Sequence, residues 1–507
     1  MPAKFVIGGL IPLQDQGPAS FVLKNVRHPH PKLQPSKLGQ RTCITPHSAG
    51  ESVKLSHLSL RDYRCFDALE IDFQPDLTVL VAANGAGKTS ILDAIAIAFG
   101  PYVGAFDEAV GKHFEPSDIR QFRARATLTH EMEYASKGVR LEAKGIIPGS
   151  IAEQLDNLPS AWRRSLTGPT KTKTSVKDAK ELRDYGKRMQ EAVRTPGSDV
   201  VLPLLAYYGT GRLWQQKNQK KQSWSEKIVR TSRTVGYTDC LDPASKYKAF
   251  VEWFRYWNFN AKELRIKALE SRETAGVSEF DGYIKSVGAA VNACLEPVGW
   301  KNIEYSFSRD ALVAHHEEFG ELPVELLSDG IRNMIGMVAD IGFRATKLNG
   351  HLGPHAAKST PGIVLIDEVD MHLHPRWQQT ILMQLRDAFP KLQFIVTTHS
   401  PQVLTTVPSE CIRILRGNKV YSAPPGTEGA EPERMLKQVL GLEEVRPPDN
   451  QATQELKEYL ALVDRDQWSS ARAKTLRERL DRRYQGQEPA LLDADLQIEN
   501  RKWELGD

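Results

Sequence analysis

At 507 residues, with 40% hydrophobic and 26% charged residues and a formal net charge of +4, the chain has the composition of a globular protein of two to four domains. No apolar run approaches the roughly 20 residues that cross a bilayer, which argues against membrane insertion and leaves any transport role to another chain. Five scattered cysteines, with no C-x-x-C pair, argue against a disulfide framework or zinc ribbon and for a reducing, cytoplasmic setting.

Residues 1–52 are proline-rich and basic with little periodicity, which predicts a flexible leader. A first lobe is expected over 53–140. It opens on two alternating stretches, 58–66 and 69–73, that read as antiparallel strands. The apolar run 77–81 then leads into Asn84-Gly85-Ala86-Gly87-Lys88-Thr89-Ser90, and a periodic apolar stretch begins at Ile91. Strand, glycine loop and helix start are together the setting of a phosphate-binding loop. The glycines let backbone N–H groups converge on an anion, and the positive end of the helix adds to the field. Asn84 to Ser90 are therefore the candidate ATP-binding residues, with Lys88 on the β/γ-phosphates and Thr89 on Mg²⁺. Ala82 stands where the full pattern has its first glycine.

A helical insertion is expected over 141–200, where a basic run includes Arg163 and Arg164. Residues 201–240 return to the core and carry a second basic stretch, with Lys217, Lys220 and Lys221 beside Trp224. Such a stretch can follow a phosphate backbone and stack on bases, or meet a protein partner. A solvated loop anchored by its tryptophans fits equally well. Phe250, Phe254 and Trp257 recur at helical spacing and predict a second helical insertion over 241–299, their stripe facing the core or a dimer surface.

Residues 300–430 complete the core. The run 363–366 ends in Asp367-Glu368, a buried strand that delivers two carboxylates. Asp367 suits Mg²⁺, and Glu368 is the catalytic candidate for orienting or deprotonating a water. The stretch from Lys347 to Thr360 before it reads as a surface loop. The strand 394–398 ends at His399, a second catalytic candidate placed to bond a γ-phosphate where ligands of open α/β sheets bind. Residues 431–507 read as a helical extension. Its apolar faces (Leu456, Leu460, Val463; Leu476, Leu480, Tyr484) need something to dock on.

Leu327-Ser328-Asp329-Gly330, lying between the two nucleotide elements, resembles the L-S-G-G-Q signature of ABC-type ATPases, with Asp329 in place of a glycine. The resemblance implies an α/β P-loop NTPase fold with a mixed sheet, two helical insertions and a helical C-terminal extension. It also implies a head-to-tail dimer in which Ser328, Asp329 and Gly330 contact in trans the nucleotide of the other subunit. Residues 58–73 resemble the opening of RecF, Rad50 and SMC-type ATPases, in which an arginine like Arg64 lies near the nucleotide. Asp370-Met371-His372-Leu373-His374-Pro375 resembles the OLD-like group; its histidines invite a metal reading, but a structural or dimer-facing role is the commoner one.

Residues 205–214, Arg446-Pro447-Pro448-Asp449-Asn450 and 489–496 resemble the PtuA family, the ATPase subunits of Septu antiphage systems, some of them attached to retrons. This implies slow ATP hydrolysis with Mg²⁺ and a homodimer or higher homo-oligomer; with no E-G-x-x-D loop from Pro401 on and no H-N-H constellation, no nuclease site is expected in the chain itself. The implied partner is a separate HNH nuclease (PtuB-like), with a reverse transcriptase and its branched RNA–DNA where a retron is attached. A RecF-like DNA-repair ATPase that clamps duplex DNA is the alternative.

Overall fold

The computed structural model describes residues 53–123, 132–135, 137–148, 160–168, 174–175, 177–212, 232–243, 247–271 and 278–505. The leader 1–52 and the stretch holding Lys217, Lys220, Lys221 and Trp224 lie outside the described residues.

Strands β1 (Lys54–Tyr63) and β2 (Phe66–Asp72) pair antiparallel, from His57 opposite Asp72 to Tyr63 opposite Phe66. Strand β3 (Leu77–Ala82) is buried throughout and runs through the glycine loop into α1 (Lys88–Val103). A small ribbon joins β4 (Gln121–Arg123) to β5 (Met132–Tyr134). Strands β6 (Val139–Ile146), β7 (Ser160–Leu166) and β8 (Thr174–Ser175) extend the first sheet in the order β2-β1-β6-β7-β8.

These strands correct the expectation of a helical insertion over 141–200, where α2 (Lys180–Arg194) alone is a long helix among the described residues. The period is two, not 3.6: Val139, Leu141 and Ala143 on β6, and Trp162, Arg164 and Leu166 on β7, all point inward. Arg164, part of the basic run noted above, is 1% exposed. Its Nη1 donates to the carbonyls of Ile97 (2.6 Å) and Lys112 (3.1 Å), and burial pulls its guanidinium down to about 10.

The second sheet carries the site. Strand β9 (Leu204–Tyr208) lies at one edge. Helices α3 (Tyr247–Glu270) and α4 (Glu279–Leu295) follow it, and Phe250, Phe254 and Trp257 of α3 are core residues. A meander of β10 (Trp300–Ser306), β11 (Ala311–His316) and β12 (Gly320–Pro323) precedes α5 (Asp329–Leu348). Strand β13 (Gly362–Ile366), α6 (Ile381–Ala388), β14 (Leu392–Thr397), β15 (Ile412–Arg416) and β16 (Lys419–Ser422) complete the core. The sheet order is β16-β15-β3-β14-β13-β9, parallel from β15 to β9, with β16 antiparallel. Strands β3, β9, β13 and β14 are buried along their whole length, as parallel strands covered on both faces must be. With the glycine loop leading from β3 into α1, this is an α/β P-loop ATPase fold.

The stretch from Lys347 to Thr360 forms short helical turns (Gly350–His355 and Ala356–Ser359) pinned by buried anchors rather than an open surface loop, although His351, Pro354, His355, Lys358 and Ser359 are exposed. Asn349 is fully buried, and its side chain accepts from Leu202 N–H (2.8 Å) and donates to Leu202 C=O (2.9 Å). Beyond α7 (Pro432–Gln438), helices α8 (Gln451–Asp464), α9 (Ala471–Tyr484) and α10 (Pro489–Leu505) bury Leu456, Val463, Leu476 and Leu480 in a small core of their own. No helix among the described residues is long and apolar enough to cross a membrane.

Candidate nucleotide site

The glycine loop turns on Gly85 (φ 76°) and Gly87 (φ 96°), both in the left-handed region that favours glycine. A Cβ on Gly87 would run into Phe66 Cζ and lie 2.7 Å from Cys65 Sγ, so the tip of the β1–β2 hairpin is seated on the loop. The first turn of α1 carries no acidic side chain, which leaves its N–H groups suited to an anion. Lys88 is buried, and its Nζ donates to the carbonyls of Ala82 (3.0 Å) and Ala83 (3.3 Å). Burial lowers its pKa, against the opposing pull of Asp367, Glu368 and Asp370.

Arg64 sits at the hairpin tip with φ 47° and is clamped by two carboxylates. Its Nε donates to Asp118 (2.8 Å) and its Nη1 to Asp93 of α1 (2.6 Å), whose other oxygen takes Lys112 at 2.8 Å. The clamp ties Arg64 to the helix that begins at Lys88.

The carboxylates arrive from β13. Asp367, 2% exposed, accepts Thr89 Oγ1 on Oδ2 at 2.7 Å and Thr397 Oγ1 on Oδ1 at 2.6 Å. Its N–H donates to Tyr208 C=O at 2.8 Å, across to β9. Glu368 adopts φ 49°, and its N–H donates to Thr397 Oγ1 at 2.8 Å. Asp370 accepts Thr398 Oγ1 at 2.5 Å. Beside them, burial and then Lys88 hold the His399 imidazole below its usual range, partly offset by Glu368, Asp370 and Asp367. One cluster therefore joins the glycine-loop helix, both carboxylate residues and the end of β14.

The signature segment lies at the start of α5. Ser328 is the N-cap by position, but its hydroxyl makes no cap bond, and Asp329 pairs with Arg332. Gly330 packs so closely on the His372 carbonyl that a Cβ there would overlap it, which seats this helix start on the turn after Glu368. His372 itself has φ 62°, and His374 Nδ1 accepts the Arg376 N–H at 3.3 Å. Both histidines shape the turn.

Two groups here carry no local sequence signal. Thr397 lies in the strand that ends at His399, two residues earlier, and nothing in its spacing singled it out. The other is a buried cluster. Tyr208 Oη and Arg344 Nε both donate to Asp340 Oδ2 at 2.7 Å, and Arg344 Nη1 reaches the carbonyls of Gly236 (2.9 Å) and Thr238 (3.1 Å). It ties the helix of the signature segment to the strand whose last carbonyl holds Asp367.

Two family models match the chain. One, described as an AAA domain, covers residues 57–274; the other, described as an AAA domain, putative AbiEii toxin, Type IV TA system, covers 298–405. The Retron Ec83 probable ATPase of Escherichia coli is 27% identical, over 90% of this chain and 88% of its own length. The Retron Vc95 probable ATPase of Vibrio cholerae serotype O1 biovar El Tor is 25% identical, over 72% of this chain and 73% of its own. Septu protein PtuA of Bacillus thuringiensis is 33% identical, over 25% of this chain and 35% of its own. The chain is similar to the PtuA-like ATPases of retrons and Septu systems. The likeness to the Ec83 ATPase runs nearly end to end, whereas that to the Bacillus thuringiensis PtuA is confined to a part of each chain.

Proposed function

We propose that the chain is an ABC-type ATPase of bacterial antiphage defence that binds ATP with Mg²⁺, hydrolyses it slowly, and controls a separate HNH nuclease. The observation that carries this reading is the Thr89–Asp367–Thr397 hydrogen-bonded cluster, with Glu368 next in the chain. The similarity to the retron Ec83 ATPase over 90% of this chain supports the defence setting.

Backbone N–H groups of Asn84 to Ser90 and the Lys88 ammonium bind the phosphates. Thr89 and Asp367 are hard oxygen donors of the kind Mg²⁺ takes, and they would hold it. When bound, the ion neutralises charge on the β- and γ-phosphate oxygens. Glu368 accepts a proton as the attacking water forms its bond to the γ-phosphorus, and the bond from phosphorus to the ADP oxygen breaks. Neutral His399 bonds a γ-phosphate oxygen. Ser328, Asp329 and Gly330 act on the nucleotide of the second subunit in a head-to-tail dimer, which can assemble further. Arg64, held by Asp93 and Asp118, stays beside the glycine-loop helix.

The partners in this reading are a PtuB-like nuclease and, where a retron is attached, a reverse transcriptase with branched RNA–DNA. Lys217, Lys220, Lys221 and Trp224 are candidates for contacting nucleic acid or a partner. The test is affinity purification of the tagged chain from its native operon, with and without ATP, followed by mass spectrometry. A stoichiometric HNH protein supports the reading. A chain that emerges alone and binds duplex DNA when ATP is added overturns it in favour of a RecF-like clamp.

A further inference from the structure

Thr397 bonds to both carboxylate residues through one hydroxyl. Its Oγ1 donates to Asp367 Oδ1 at 2.6 Å and accepts the Glu368 N–H at 2.8 Å. A hydroxyl has one proton to give and lone pairs to receive, so the two bonds are compatible. The side chain is completely buried, and its backbone carbonyl accepts the Val369 N–H at 3.0 Å. Three consecutive residues, Asp367, Glu368 and Val369, are thus registered on one residue of β14.

We propose that the Thr397 hydroxyl is the positioning group of the hydrolytic site, orienting the Asp367 carboxylate and fixing the backbone of Glu368 together. The proposal rests on the ATPase reading above. Asp367 Oδ2 is met by Thr89 and Oδ1 by Thr397, so removing the Thr397 hydroxyl deletes the 2.6 Å bond that orients the second oxygen. Glu368 sits at φ 49°, a conformation that a non-glycine residue keeps only where its surroundings over-determine it. The Thr397 bond to its N–H is one such constraint. Loss of the hydroxyl therefore disturbs the residue proposed to hold the metal and the one proposed to act as base, and leaves Lys88 and the glycine loop in place.

The test compares Thr397→Val, which keeps the shape and removes the hydroxyl, with Thr397→Ser, which keeps the hydroxyl. Both are assayed as the full-length chain for kcat, for the Mg²⁺ concentration giving half-maximal rate, and for binding of fluorescent ATP with and without Mg²⁺. Groups that orient metal ligands are typically worth about 10–100-fold in affinity or activity. Thr397→Val is expected to lose at least about tenfold in kcat and to need about tenfold more Mg²⁺, with metal-free ATP binding near wild type. Thr397→Ser is expected to recover most of both. Equal losses in the two variants, or unchanged Mg²⁺ dependence in Thr397→Val, would overturn the proposal. If the wild-type chain itself does not turn over ATP, the ATPase reading fails separately. The Mg²⁺-dependent tightening of ATP binding then decides the role of Thr397: lost in Val and kept in Ser supports it, and unchanged in both refutes it.

Discussion

Thr89 Oγ1 donates to Asp367 Oδ2 at 2.7 Å, joining two residues 278 positions apart in the chain. The bond exists because β3 and β13 flank β14 in parallel register, so the start of α1 and the end of β13 emerge at the same edge of the sheet. Ligands of open α/β sheets bind at that edge, beyond the carboxyl ends of the strands.

Lys88→Ala is expected to abolish ATP binding without unfolding the chain. The ammonium is buried against two backbone carbonyls, and burial lowers its pKa, so the folded state gains little from its charge. Thermal melts should show a midpoint near wild type and no upward shift when ATP is added.

Gly87→Ala should fail in both binding and stability. At φ 96° an L-residue is strained by about 1–3 kcal/mol, and its Cβ would also collide with the β1–β2 hairpin tip at Phe66. Differential scanning calorimetry would register the lower midpoint, and ATP titration the weakened binding.

ATP turnover should fall on the acid side as His399 takes up a proton. Its folded pKa lies below the ordinary value of about 6.5, so the folded site holds it neutral and protonation favours the unfolded chain. The stabilising effect is complete above about pH 6.5 and is lost as pH falls through the lower, folded value. A rate–pH profile of His399→Asn, compared with wild type, should lose that acid limb.

The Asp340–Arg344 pair is 8% exposed on each side chain, and Asp340 also receives Tyr208 Oη. Asp340→Ala should cost about 3–5 kcal/mol, because it leaves a buried guanidinium without its carboxylate. Asp340→Leu with Arg344→Met should recover only part of that loss, because Tyr208 Oη and the carbonyls of Gly236 and Thr238 lose their partners. Urea unfolding of both variants distinguishes the buried pair's net worth from the penalty of breaking it.

Much of the site is legible in the sequence because phosphate chemistry demands particular residues at short, contiguous spacing. Asn84 to Ser90, Asp367-Glu368 and His399 each end or follow an apolar strand, and a reader can place them without tertiary information. Thr397 is not legible this way, since a threonine inside an apolar run is ordinary until the neighbouring strand is known. Asp340 and Arg344 are neighbours at i,i+4 on one helix, but Tyr208 reaches them only through packing across 132 positions, which no local pattern encodes. The strands within 139–166 were legible in principle from their alternation. Arg164 obscured the pattern, because an inward arginine bonded to carbonyls breaks the rule that charges face water.

The most direct measurement is ATP turnover, with light scattering for mass, on the full-length wild type and on Glu368→Gln. The expected result is slow Mg²⁺-dependent release of phosphate by the wild type, at least about a hundredfold less from the variant, and accumulation of ATP-bound dimers in the variant. Unchanged turnover in Glu368→Gln, or a monomer with ATP bound, would contradict the reading of this site as a dimeric ATPase.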